Sequence, residues 1–122
     1  MTVALVTAVA DPRREADLVA TLAHAGSGVR VVRRCVDLAD LLAAAAAGLA
    51  SVAVVSRDLQ RLDRAALDRL GAAQVAVVGL VRAADPTDVE AWAALGVLDT
   101  LTEATSAEQT VERLVAATTR AR

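Results

Sequence analysis

The segment from Ser51 to Ser56, which reads Ser-Val-Ala-Val-Val-Ser, constrains the fold of this chain more than any other. It is rich in β-branched residues, apolar at consecutive positions and too short for a helix, and the charged pair Arg57-Asp58 follows it at once. Consecutive apolar residues are typical of a strand buried on both faces, as in a parallel sheet. Ligands of open parallel sheets bind beyond the carboxyl ends of the strands. We therefore expect any pocket to lie near Ser56 and Asp58.

Four more apolar segments alternate with helical patterns along the chain. The pattern predicts strands at 3–9, 29–36, 51–56, 74–81 and 97–101. Helices are expected at about 13–24, at 38–47, from 61 or 63 to 70, from Pro86 to Leu95, and after Ser106. Asp37 and Asp85 are suited to cap the second and fourth helices, and Ser106 with Gln109 forms a capping-box pattern. The chain therefore consists of five strand–helix units.

Alternation of strands and helices predicts an α/β fold, a doubly wound, three-layer sandwich with a five-stranded parallel sheet. The second strand carries Arg30, Arg33 and Arg34, too much charge for a strand buried on both faces. It is expected at an edge, where charge also prevents aggregation. The flavodoxin-like strand order 2-1-3-4-5 satisfies this requirement and keeps the apolar strands inside.

Composition excludes several classes of function. The 122 residues suit one domain, spanning 1–122. A net charge of -2 argues against direct nucleic-acid binding. The longest apolar stretch, 41–55, is shorter than the roughly 20 residues that span a bilayer, so we expect no membrane span and a cytoplasmic location. The lone Cys35 is expected to be a small buried apolar residue, and no cofactor motif is present.

The order of elements resembles the receiver domain of response regulators over the whole chain. Asp11-Pro12 after the first strand and the segment 96–103 are similar to the corresponding family segments. The resemblance places Val9 and Ala10 at the metal-binding acids, Ser56 at the phosphoacceptor Asp, and Glu103 at the active-site Lys. Phosphotransfer needs a carboxylate nucleophile, a divalent cation and a positive group. The resemblance therefore implies a pseudo-receiver with no catalytic residues and no metal.

A narrower resemblance joins segments 31–42, 54–63 and 75–81 to the N-terminal pseudo-receiver domains of CpaE/TadZ-like proteins of actinobacteria, including septum-site-determining-like members. In that group the domain precedes a MinD/ParA-type ATPase that positions pilus (Flp/Tad) or division machinery. The resemblance implies a non-enzymatic domain that regulates such an ATPase, dimerises, and is recruited to the pole or septum by partners. No Walker loop lies in this chain, which has no Lys.

The degenerate receiver pocket is the first candidate site. Its residues share a position near the carboxyl edge of the predicted sheet: Val9, Ala10, Asp11, Ser56, Asp58, Gly79 and Glu103. Sensing of a small ligand or nucleotide in this pocket is the alternative function. A third interpretation is phosphorylation of Asp58 after a shift of register. The simpler structural interpretation is that Asp11 and Asp58 are loop and cap residues.

The second candidate is an interface on the fourth helix, fifth strand and fifth helix, the face through which receiver-like domains often dimerise. Trp92 is a large aromatic of the kind that anchors interfaces, although packing of Trp92 in the core is an equally open alternative. The expected interface also includes Val89, Leu101 and Val111, and its first expected use is a homodimer.

Overall fold

Five strands and five helices alternate through the part of the chain that the computed structural model describes, residues 2–24, 28–83 and 85–120. In chain order the elements are β1 (Val3–Ala8), α1 (Pro12–His24), β2 (Val29–Arg34), α2 (Leu38–Ala46), β3 (Val52–Ser56), α3 (Arg64–Ala72), β4 (Ala76–Leu80), α4 (Pro86–Ala94), β5 (Thr100–Leu101) and α5 (Ala107–Arg120). Within these ranges no helix has the length and apolar character needed to cross a membrane.

The strands form one parallel sheet in the order β2-β1-β3-β4-β5, which confirms the predicted topology and the edge position of β2. Helices cover both faces of the sheet. Leu22 of α1 and Leu114 of α5 pack on one face. On the other face lie Leu41 of α2, Leu70 of α3 and Trp92 of α4.

The strand β3 lies at the centre of the sheet, and all five of its residues are buried. Successive side chains point to opposite faces, so Val52 and Val54 join the core under α1 and α5, while Val55 joins the core under the other helices. Both faces are covered, which explains why the sequence is apolar without alternation.

The edge strand β2 contains a register shift that determines where its arginines point. Leu5 pairs with Val31 but Val6 pairs with Arg33, so Val32 has no partner in β1. The shift places Arg34 beside Thr7. The buried Glu15 of α1 accepts a hydrogen bond from the Thr7 hydroxyl at 2.8 Å and one from Arg34 Nε at 3.0 Å. These contacts attach the charged edge to the body of the domain.

The predicted helix caps are present. Asp37 accepts a hydrogen bond from the backbone of Asp40 at 2.8 Å, and Asp85 accepts one from Thr87 at 3.0 Å. The capping box is reciprocal: Gln109 N–H donates to Ser106 Oγ at 3.1 Å, and Ser106 N–H donates to Gln109 Oε1 at 3.3 Å. These side chains replace the hydrogen bonds that the first turn of a helix lacks.

Several boundaries differ from the predicted ones. β5 has two residues because the preceding segment belongs to the turn after α4: Gly96 has a φ of 88°, and Val97 N–H donates to Trp92 O at 2.9 Å. β2 ends before Val36, whose N–H donates to the Asp40 carboxylate instead of a strand. Gly71 does not end α3, which continues to Ala72.

Candidate functional site

The loop after β1 and the end of β3 meet at the carboxyl edge of the sheet. Ser56 is buried, and its Oγ accepts a hydrogen bond from the backbone N–H of Ala10 at 2.9 Å. Ala10 is exposed, whereas Val9 is buried in the core under α1 and α5. The Ser56 hydroxyl therefore has a structural role, because it links the end of β3 to the loop after β1.

The acidic residues of the predicted pocket have separate local roles. Asp11 accepts a hydrogen bond from Arg13 N–H at 2.9 Å at the start of α1, as the loop-and-cap interpretation requires. Asp58 is exposed in the turn after β3. Glu103 Oε1 accepts the N–H of Ala83 at 3.2 Å and so joins the loops after β5 and β4.

Hydrogen bonds keep Glu103 ionised. Its pKa lies below the usual value because its own backbone N–H and that of Ala83 stabilise the carboxylate, with a smaller contribution from the charges of Arg14 and Arg82. A carboxylate at this position has the opposite charge to the Lys that the sequence resemblance places there.

Gly79 does not line the pocket, which corrects one sequence prediction. A Cβ built on Gly79 would lie 2.4 Å from Cε2 of Trp92 and 2.6 Å from two further indole atoms. The indole ring occupies the space that a side chain at position 79 would need, and Trp92 Nε1 donates to the carbonyl of Leu80 at 3.1 Å. Gly79 therefore serves core packing.

Of the four predicted interface residues, Leu101 is wrong as a surface residue, and Trp92 follows the alternative of core packing. Trp92 has no exposed surface, because the missing side chain of Gly79 makes room for it. Leu101 is buried because β5 places it under α5, and Val111 is partly buried against the same core. Val89 is 46% exposed and remains available. Leu98, which the sequence analysis did not select, is 82% exposed beside β5.

A group of arginines that the sequence analysis did not connect surrounds a cleft at the carboxyl edge. The cleft has a volume of about 250 Å³ and is lined by Arg14, Arg57, Asp58, Leu80, Arg82 and Asp88. Arg14 and Leu80 also line a neighbouring cavity of about 450 Å³ between α1, α5 and the end of β5. The sequence spreads these arginines over 69 positions, from 14 to 82, and only the sheet topology brings them together.

Cys35 is 4% exposed, in agreement with its predicted role as a small buried apolar residue. Burial raises the pKa of its thiol to about 11, with a further contribution from the nearby Asp40 carboxylate. A thiol with this pKa is almost fully protonated near neutral pH and is a poor nucleophile.

Comparison with known proteins gives a structural match only. No protein-family model matches the chain, and no curated protein sequence matches it. A response regulator of Chloroflexus aurantiacus superposes with a TM-score of 0.80 at 18% identity, covering 98% of this chain and 100% of that one. The signal receiver domain of the response regulator NarL from Mycobacterium tuberculosis superposes with a TM-score of 0.75 at 21% identity, covering 97% of each chain. This chain has a receiver-like fold.

A pilus assembly-related protein of Burkholderia pseudomallei shares the receiver-like fold, with a TM-score of 0.74 at 17% identity over 98% of this chain and 91% of that chain. Identities of this size establish the fold, whereas activity depends on the residues of the site. At the positions that the sequence resemblance assigns to the family's active residues, this receiver-like chain has a buried Ser56, a buried Val9 and the carboxylate of Glu103.

The carboxylates at this edge are also dispersed. Within residues 2–24, 28–83 and 85–120, no three His, Cys, Asp or Glu side chains are grouped so that they could hold a metal ion. Asp11 caps α1, Asp58 faces solvent, and Glu103 bonds to the Ala83 backbone. The arrangement favours structural roles for these acids and leaves the arginine-lined cleft as the distinctive feature of the edge.

Proposed function

We propose that this chain is a non-enzymatic, receiver-like regulatory domain that acts through its binding surfaces without phosphotransfer. The observation that carries the proposal is the Ser56 hydroxyl at the end of β3, which is buried and accepts the Ala10 N–H at 2.9 Å. A serine in this position offers no carboxylate nucleophile, and Glu103 offers no positive charge for a transferred phosphoryl group. A domain of this kind regulates a partner by binding one of its states more tightly than another.

The surface of α4, β5 and α5 is the proposed interface, used first for a homodimer. Leu98 is its most exposed large apolar residue, and the ion pair of Arg120 with Asp99 lies beside it. Val89 adds a second, half-exposed apolar side chain on α4. Exposed apolar patches with a polar rim mark protein-interaction sites.

The proposed partner is a MinD/ParA-type ATPase of pilus assembly or septum placement, with recruitment of this domain to the pole or septum. The resemblance of segments 31–42, 54–63 and 75–81 to CpaE/TadZ-like domains supports this assignment. The receiver-like fold of the pilus assembly-related protein is compatible with it. The partner would lie outside these 122 residues, either in the same polypeptide or in a separate one.

Incubation of the purified chain with acetyl phosphate and Mg²⁺, followed by intact-mass measurement, tests the first part of the proposal. We expect no phosphorylated species. Appearance of one would refute the proposal, and its loss in the Asp58→Asn variant would assign the phosphate to Asp58.

Light scattering coupled to gel filtration tests the interface. We expect Leu98→Asp to shift the dimer toward monomer and to weaken binding of the ATPase. Val36→Asp is the matched control, because Val36 is 85% exposed but lies beside β2 at the opposite edge of the sheet. Equal effects of the two substitutions, or a parent chain that is monomeric and binds no ATPase, would contradict the proposed surface.

A further inference from the structure

The carboxyl edge of the sheet presents positive side chains from three separate elements to one cleft. Arg14 comes from α1, Arg57 from the turn after β3, and Arg82 from the loop after β4. The cleft has a volume of about 250 Å³ and also contains the carboxylates of Asp58 and Asp88. Three guanidinium groups thus face two carboxylates.

The arginines of the cleft are available for a ligand. Ion pairs in the described part of the chain use Arg33, Arg34 and Arg120, and none uses the three arginines of the cleft. Arg14 donates through Nη2 to the carbonyl of Val81 at 3.0 Å, which fixes its position and leaves its other donors free to contact a ligand. Arg57 and Arg82 are exposed.

One of the two carboxylates is already engaged. Asp88 lies in the first turn of α4 and accepts the N–H of Arg82 at 3.2 Å. Asp58 is exposed at the rim of the cleft. Asp58, Asp88 and the carboxylate of Glu103, which interacts with Arg14 and Arg82, all oppose an incoming anion; of the two carboxylates in the lining, Asp58 is the exposed one.

We infer that this cleft is a binding site for a phosphate-type oxyanion, held noncovalently by Arg14, Arg57 and Arg82. A tetrahedral oxyanion can accept hydrogen bonds from guanidinium groups in three directions, whereas a planar carboxylate is satisfied by a single bidentate arginine. Charge complementarity selects an anion over a metal cation. This site is separate from the α4, β5 and α5 surface, so its test does not depend on the proposed interaction role.

Titration of inorganic phosphate into the ¹⁵N-labelled chain at constant ionic strength tests the inference. We expect saturable shifts of the amide signals at Arg57, Asp58 and Arg82. Arg57→Gln and Arg82→Gln should each weaken binding about tenfold, since each removes a charge-assisted hydrogen bond. Asp58→Asn should tighten binding several-fold, because it removes the exposed one of the two carboxylates in the lining.

Arg69→Gln on the exposed side of α3 is the matched control, because it removes one positive charge outside the cleft. All four substituted positions are exposed, so the variants should fold as the parent does. Shifts that grow without saturation would overturn the inference, as would an Arg69→Gln effect equal to that of Arg82→Gln. Weaker binding by Asp58→Asn would also refute it.

Discussion

Replacement of Gly79 by Ala should destabilise this protein strongly, although the change adds a single methyl group. The new Cβ would lie 2.4 Å from Cε2 of Trp92, more than 1 Å closer than ordinary carbon contacts allow. Trp92 has no exposed surface and donates through Nε1 to the Leu80 carbonyl at 3.1 Å. The ring therefore cannot move away without disturbing the core and this hydrogen bond.

The expected loss follows from three contributions. Overpacking of a core costs about 1–3 kcal/mol, and a buried indole N–H without its acceptor costs about 1–3 kcal/mol. Alanine stabilises the folded state by about 0.5–1 kcal/mol relative to glycine, because it reduces the conformational entropy of the unfolded chain. The net loss in the free energy of unfolding is about 1–5 kcal/mol, and its middle value of about 3 kcal/mol lowers the melting temperature by roughly 10 °C for a domain of this size.

Urea denaturation followed by fluorescence provides the assay, since Trp92 is the single Trp of the chain and moves from the core to water on unfolding. Gly71→Ala is the matched control: a Cβ there meets no atom within 4 Å, and the position lies in α3. It should stabilise the protein by about 0.5–1 kcal/mol.

A double-mutant cycle with Trp92→Leu, followed by circular dichroism, identifies the cause. The smaller leucine should leave room for the alanine methyl group, so Gly79→Ala should cost much less in that background. If Gly79→Ala is as stable as the parent chain, or costs the same with leucine at position 92, the packing argument is wrong.

Three further substitutions have expected outcomes. Glu15→Ala should lower the free energy of unfolding, measured by urea denaturation, by about 2 kcal/mol. The Thr7 hydroxyl loses its buried acceptor, whereas the half-exposed Arg34 can hydrogen-bond to water instead. Glu112→Ala, at an exposed position, is the control. Asp63→Ala should lower the free energy of unfolding by about 1 kcal/mol, because the Ala66 N–H loses the N-cap carboxylate to which it donates at 2.8 Å. Asp68→Ala, within the same helix, should leave the free energy of unfolding unchanged. Cys35 holds its proton more tightly in the folded state, so stability should fall between pH 9 and about 11 as the unfolded thiol ionises first. Urea midpoints measured at several pH values should show no such decline in Cys35→Ala. The chain has no Lys and no Tyr, so no other side chain titrates between pH 9 and about 11. An unchanged slope in Cys35→Ala would show that the decline has another source.

The fold could be predicted from the sequence because its signals are local. Each cap depends on one side chain and a backbone N–H three or fewer residues away, as with Asp37 and Asp85. The apolar run of β3 and the arginines of β2 each indicate burial within their own strand. Strand order follows from these burial patterns together with the handedness of the crossovers.

The site could not be predicted in the same way, because it depends on distant pairs. Burial of Trp92 requires the small size of Gly79, thirteen positions earlier, and helix periodicity carries no information about it. A glycine inside an apolar strand was the available signal, since it indicates close approach of another group. Arg14 and Arg82 line the same cleft only because the assembled sheet brings α1 and the loop after β4 together.

The register shift opposite Val32 has a consequence for how much the edge strand can vary. If the pairing continued past Val31 without the shift, Arg34 would lie opposite Ala8, and the carboxylate of Glu15 would lose its counterion. An insertion of one residue before Arg34 would move Arg34 from Thr7 to Ala8 and leave the charge of Glu15 uncompensated. Deletion of Val32 would instead remove the bulge and keep Arg34 beside Thr7. Electrostatics thus allows this strand to lose its unpaired residue but not to gain another, even though most of its side chains are exposed to solvent.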